Sequence, residues 1–377
     1  MPEDNNKIQI RENHAIAQVS SFLRITNKLL SLYDDGKYEK QAVFRANNNR
    51  TGEYKEKGIK YLNGLYWKFH QLSGVNSTPL VHNNMLLFGS ESKYFFALDQ
   101  QTGEEIWRFK TQKEIRSSAL VHKNLVFFGG FDTYFYAIQL NNGILKWKYK
   151  TEDWIFSSPV YLDYTIYFGS MDKTFYALDS ITGKLKWKFE TNGWIISSPA
   201  IYKDKIYFGS RDKNIYALNI KNGDLCWKYK TEAGVHSSPA ITNNVLYIGS
   251  IDKSLYAIEA NSGNLIWKSV TGNAIFSSSA VSGNYIVIGS KDGKLHCFEK
   301  TNGIKIWEFT AGRAFHSSPA ISDGIVYAGS DDGNLYAIDL QSGIEVWRYS
   351  TYEKIRSSVV VDKDRIYFGG KYLHALY

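Results

Sequence analysis

IFSSPVYLDYTIYFGSMDKTFYALDSITGKLKWKFE, residues 155–190, reads as four short β-rich runs separated by turn residues. Residues 155–161, 165–169, 174–179 and 184–190 are rich in Val, Ile, Phe and Tyr, and Gly, Asp or Asn bounds each run. Thr182 and Gly183 supply the turn before the last run, where Gly tolerates the positive φ of a tight hairpin. Four antiparallel strands in about forty residues make one propeller blade.

Working outward, the unit repeats. Trp67, Trp107, Trp147, Trp187, Trp227, Trp267, Trp307 and Trp347 follow one another every forty residues. An internal period of that length marks a repeat fold and outranks local patterns. The turn of residues 182–183 recurs as Asn-Gly or Ser-Gly at 142, 222, 262, 302 and 342. Serine pairs open the units at 157, 197, 237, 277 and 317, and Gly-Ser closes the second run at 169, 209, 249, 289 and 329. Small residues suit inner strands, which converge on the axis. Pro79, Pro159, Pro199, Pro239 and Pro319 fall just after the small pairs. Proline is confined to sheet edges, and the strand lining the channel is one. The periodic tryptophans belong on the outer strand as wedges between blades. Burying an indole removes roughly 150–250 Å² from water, on the order of 4–6 kcal/mol gross.

The predicted fold is therefore all-β, an eight-bladed propeller of four-stranded antiparallel blades. Residues 355–377 lack a fourth strand, and residues 64–70 are a fourth strand with no first three before them. Joined, they form blade 8 and leave no open edge. Residues 61–377 make the propeller domain and 1–60 a leader. In the leader, 14–33 reads as an amphipathic helix and 34–60 as a polar linker.

The stretch at 177–187, ALDSITGKLKW, resembles the tryptophan-docking motif of quinoprotein-type (PQQ-like) propellers, with similar stretches at 97–107, 217–227, 257–267 and 337–347. The resemblance spans about 310 residues and implies eight blades, each Trp docked on its neighbour. That family includes calcium-dependent alcohol and glucose dehydrogenases, many propellers that bind no quinone, and the scaffold lipoprotein of an outer-membrane assembly machinery.

A quinone dehydrogenase needs a Ca²⁺ site of carboxylate and amide oxygens and a catalytic Asp. Cys226 and Cys297 are far apart, where methanol-dehydrogenase-like members place a vicinal disulfide, and the loops are minimal. No catalytic residues, metal site or cofactor are expected, and the expectation is not an enzyme. Asp132, Asp172, Asp212, Asp252, Asp292 and Asp332 share one turn position, which reads as side-chain capping rather than an ion collar. The net charge of +8 is spread out, with eleven Lys and Arg against eight Asp and Glu in the leader. That argues against nucleic acid and against a membrane surface. Buried free thiols, no signal peptide and no apolar spanning run make the cytoplasm the expected location.

Shared positions serve structure, so function belongs where the copies differ. The most variable slot precedes the small pair and reads Asn76, Arg116, Phe156, Ile196, His236, Phe276, His316, Arg356 around the ring. Arg356, Asn76 and Arg116 form a basic, polar sector. Phe156 and Ile196 form an apolar sector, enlarged by Trp154 and Trp194, the two tryptophans outside the period. Met171 and Arg211 lie on the same face. Exposed aromatics beside Arg compose protein-binding hot spots. His236 and His316 read as channel lining rather than metal ligands. The expected function is a non-catalytic scaffold that binds protein partners through the rim and channel entrance, as a monomeric propeller within a hetero-complex. The alternative is a small-ligand sensor holding an anion or quinone on Arg116 and Arg356. A PQQ- and calcium-dependent dehydrogenase comes third.

Overall fold

In the computed structural model, which describes residues 43–71 and 73–377, every forty-residue unit folds into a separate four-stranded antiparallel sheet. Blade 3 is representative, with strands Val160–Leu162, Thr165–Gly169, Thr174–Asp179 and Leu185–Glu190 in that spatial order. Blades 1 to 7 each span forty residues, with first strands starting at Leu80, Leu120, Val160, Ala200, Ala240, Ala280 and Ala320. Blade 8 takes Val360–Asp362, Arg365–Gly369 and Leu373–Leu376 from the far end of the chain and Leu65–Phe69 as its fourth strand. Trp67 of that strand donates its indole N–H to the Gln100 carbonyl in blade 1, so the ring closes as the sequence predicts. The helix expected at 14–33 lies outside the described residues.

The innermost strands are shorter than the sequence pattern suggests. Residues 155–159 form no strand of blade 3: the Ile155 N–H donates to the Gly130 carbonyl, and the serine pair bonds around the axis instead. The N–H of Ser118 donates to Ser158 Oγ, that of Ser158 to Ser198 Oγ, and that of Ser198 to Ser238 Oγ. Ser157 Oγ donates to the Ser197 carbonyl, and Ser197 Oγ to that of Ser237. Buried backbone groups require partners. Here the serine pair supplies them between blades, which explains why the pair recurs.

Between blades the core repeats as well. Trp147 of blade 2 donates to the Ser180 carbonyl in blade 3, and Trp227 of blade 4 to Ala260 in blade 5. The turn glycine lies under the preceding blade's indole: a Cβ on Gly183, whose φ is 72°, would sit 2.7 Å from Trp147. Its slot therefore excludes side chains for both conformation and space.

Residues 43–60, read from sequence as part of a polar linker, are instead held by the propeller. The carbonyls of Asn48, Asn49, Thr51 and Gly52 accept the N–H groups of Ile201, Ile241, Val281 and Ile321, one from each first strand of blades 4 to 7. Glu53–Tyr54 then adds a parallel fifth strand to blade 7. The Arg50 guanidinium is fully buried and donates to the carbonyls of Phe44, Ser158, Pro159 and Pro199. Burial, then the nearby charge of Arg45, lowers its pKa to about 9, so it stays protonated at neutral pH. Ile59 accepts the Trp347 indole N–H, a contact that Trp67, Trp107, Trp147, Trp227, Trp267 and Trp307 make with the residue just after the next blade's third strand. This strap satisfies the inner edges at the end of the channel where first strands meet second strands.

Candidate interaction face

The opposite face carries the variable residues. It is built from two loops per blade, the one leading into the first strand and the turn joining the second to the third. The turn is fixed by the repeated aspartate. Asp172 accepts the N–H of Thr174 and of Glu152, 2.9 and 3.0 Å away, and the Tyr176 hydroxyl at 2.7 Å. Asp132, Asp212 and Asp332 accept the matching tyrosine hydroxyls, and Asp292 pairs with His296 in that place. With their oxygens committed to turn and loop, these aspartates act as caps.

So braced, four turn residues meet the slot residue twenty-five positions later, at the mouth of the next blade. Glu91 meets Arg116 at 2.8 Å and accepts from Asn76 at 2.5 Å. Phe131 lies against Phe156, ring centroids 5.9 Å apart. Arg211 lies 3.0 Å from His236 Nε2, and Asp331 binds Arg356 through two bonds of 3.0 and 2.9 Å. Asp331 also holds His316 Nδ1 at 3.2 Å. Burial alone would raise the Asp331 carboxyl, but the Arg356 guanidinium together with the charges of His316 and Lys354 outweighs it and holds it below its usual range.

These pairs correct the expected basic sector. Arg116 and Arg356 are not free cations awaiting an anion, because Glu91 and Asp331 already neutralise them. The anion-binding alternative loses the feature that motivated it. His236 and His316 flank Phe276 at centroid distances of 5.0 and 5.6 Å, and each is tied to a different side chain. The arginine can only donate, so His236 Nε2 accepts and the ring is neutral. Burial, then the Arg211 charge, lowers its pKa to about 4. Among the described residues no group of three His, Cys, Asp or Glu is placed to hold a metal ion. Both arginines of the expected anion site are already paired with carboxylates.

In the apolar sector Phe131, a turn residue, lies against both Trp154 and Phe156. Trp154 and Trp194 are 39% and 43% exposed, on successive loops. Their carbonyls accept the N–H groups of Met171 and Arg211, both at 2.9 Å, which fixes the backbone under each indole. Trp154 stacks on Phe131 at 4.8 Å, with Lys113 5.8 Å from its ring. Arg211 lies 6.0 Å from the ring of Trp194. Phe131, Glu91 and Asp331 were missed in the sequence because they belong to the turn and only the loop slot was compared between copies. The twenty-five-residue offset was the available signal. Of the two thiols expected to be buried, Cys297 is, and burial pushes its pKa up to about 12, but Cys226 is exposed on an outer strand.

Residues 72–282 and 161–325 match the profile of a family described as "Beta-alanine-activating enzyme, beta-propeller". No curated protein matches the chain. Among solved structures, BamB from Moraxella catarrhalis is 16% identical with a TM-score of 0.72, covering 83% of this chain and 96% of that one. A computationally designed protein, Ika8, is also 16% identical, with a TM-score of 0.75 and coverage of 84% and 100%. Quinohemoprotein alcohol dehydrogenase from Comamonas testosteroni is 12% identical, with a TM-score of 0.79 and coverage of 89% and 80%. At these identities the likeness is one of fold.

Proposed function

We propose a scaffold function for this chain from one premise: it belongs to the family described as "Beta-alanine-activating enzyme, beta-propeller", and it is an eight-bladed PQQ-like propeller. The family's description joins a propeller to an enzyme, and the propeller is the part matched here. One fold supports a BamB, a designed protein and dehydrogenases, so function has to be argued from the site. In our reading the propeller is non-catalytic and holds a protein partner against the face bearing Trp154 and Trp194, as one copy within a hetero-complex. The observation that carries this reading is the pair of half-exposed indoles on backbone-pinned loops. Both stand outside the structural period, and each is flanked by a cation. Such rigid aromatic anchors bind at low entropic cost.

We further propose a reducing compartment, the cytoplasm, in keeping with two free thiols, one on the surface. No helix among the described residues is long and apolar enough to cross a membrane.

The test is the double variant W154A/W194A. A partner that co-purifies with the parent protein from its native host is lost with the variant, while the melting temperature stays within about 3 °C because both indoles lie at the rim. Retention of the same partner, or a collapse in stability, overturns the reading. Turnover with added quinone and Ca²⁺, followed by dye reduction, overturns it in favour of a dehydrogenase.

A further inference from the structure

The charges around the two tryptophans are unevenly compensated. Elsewhere on the face Arg116 and Arg356 are matched to carboxylates, while Arg313 is exposed and, among the described residues, in no ion pair. On the tryptophan side Lys113 and Arg211 stand at the two ends of the arc, with Lys173 exposed in the turn of Met171. Among the described residues none of these three is in an ion pair with a carboxylate. The acids nearby are mostly engaged. Asp153 accepts the Trp154 N–H at 2.8 Å, Glu190 pairs with Lys188 at 2.9 Å, and Glu114 lies 3.9 Å from Arg116. Glu152 remains exposed with its carboxylate unassigned.

We propose that this arc takes an acidic peptide segment. Apolar side chains of the segment seat between Trp154 and Trp194, and carboxylates on either side pair with Lys113 and Arg211. The inference rests on the scaffold reading and adds the chemistry of the partner. Its basis is complementarity: the arc has an apolar centre with an uncompensated cation at each end. Complementary charge across a rim steers encounter and selects partners. A guanidinium whose fork is free of carboxylates is the group best shaped to accept one in bidentate form. Arg211 has this freedom because its partner within the fold is a neutral imidazole, whereas Arg356 does not.

Single-stranded nucleic acid also favours aromatics beside cations, but the geometry favours the peptide. Phe131 covers one face of Trp154, and Arg211 lies over Trp194, which reduces the area on which bases would stack. Phe156, Ile196 and Met171 line the arc with apolar surface, and Glu152 would oppose a backbone bearing one charge per nucleotide.

The test uses the full chain and three probes. These are a peptide of about twelve residues alternating Asp or Glu with Phe or Leu, the same peptide with Lys for each acid, and an oligothymidylate of similar length. Binding is read by fluorescence anisotropy at about 50 and 200 mM salt. The acidic peptide binds at least about tenfold more tightly than the basic one, and salt weakens it. In R211E, with the melting temperature unchanged, the acidic peptide loses at least about tenfold and the basic one gains. The proposal is overturned if the acidic peptide does not bind, if the basic peptide or the oligonucleotide binds as tightly, or if R211E leaves the preference unaltered. The two readings fail separately. Binding of the basic peptide that W154A/W194A abolishes keeps the face and removes the acidic partner. Acidic binding indifferent to W154A/W194A removes both.

Discussion

Arg50→Ala is the most demanding perturbation of the architecture, because the guanidinium organises the strap rather than any blade. The side chain is 0% exposed and donates to four carbonyls, on Phe44 at 2.7 Å, Pro159 at 2.8 Å, Pro199 at 2.9 Å and Ser158 at 3.0 Å. Pro159 and Pro199 lie on neighbouring blades, so one residue bridges two inner edges and the strap. A buried carbonyl left without a partner costs about 1–3 kcal/mol, and hydrogen bonds from a charged donor are the stronger kind. Alanine leaves room for water to recover part of this, which sets the expected loss at about 3–5 kcal/mol. With unfolding entropy near 2.1 cal/mol/K per residue over about 335 residues, that loss lowers the melting temperature by about 4–7 °C. Circular dichroism melts with calorimetry give the measurement. Arg108→Ala, which removes an exposed pair with Glu105, is the control at under about 1 kcal/mol. An Arg50→Ala protein melting within about 1 °C of the parent would refute the view that the strap is part of the fold.

Two further outcomes follow from other sites. Asp212→Ala frees the N–H groups of Asn192 and Asn214 and the Tyr216 hydroxyl, and lowers stability by about 2 kcal/mol. Millimolar Ca²⁺ leaves the parent's melting temperature unchanged, and a calcium-dependent rise that Asp212→Ala abolishes would establish an ion collar instead of a cap. His374 is buried against Phe368, and burial, then the Lys68 charge, lowers its pKa to about 4. Because its folded pKa lies below the unfolded value near 6.5, the unfolded chain takes the proton first. Stability is therefore intact above that pH and falls as pH drops toward 4, by up to about 1.4 kcal/mol per pH unit. Urea titrations at several pH values show a shallower decline in His374→Phe, and parallel curves for the two proteins would sink the assignment.

The blades were legible because their demands are local and repeated. The turn glycine, the small pair and the outer tryptophan each answer a constraint that returns every forty residues. Residues 64–70 could likewise be assigned to blade 8 because they carry one part of that pattern. The strap has no such signature. It works through backbone carbonyls at Asn48, Asn49, Thr51 and Gly52, which any residue type supplies, so its polar sequence reads as a linker. Two features carried weak information. Arg45 and Arg50 are long cations in a segment with few acids nearby. Gly58 stands where a Cβ would meet the Ser322 carbonyl at 2.6 Å.

On the interaction face, sequence comparison found the right slot but read it one residue at a time. The structural unit is a pair, one residue from the turn and one from the loop twenty-five positions later. As pairs, the turn and slot residues give Glu91 with Arg116, Arg211 with His236 and Asp331 with Arg356, all polar. Phe131 with Phe156 and Met171 with Ile196 are apolar. The two tryptophans stand two residues before Phe156 and Ile196, so each indole rises beside an apolar pair. The third apolar pair, Ile251 with Phe276, has Ala274 at the corresponding loop position and raises no indole. Apolar pairing alone therefore does not explain the bulk at Trp154 and Trp194. Alanine satisfies the same loop beside Phe276, and glycine does so two residues before His236, so the fold does not require tryptophan there. An exposed aromatic that the fold does not need is the feature expected of a surface kept for a partner.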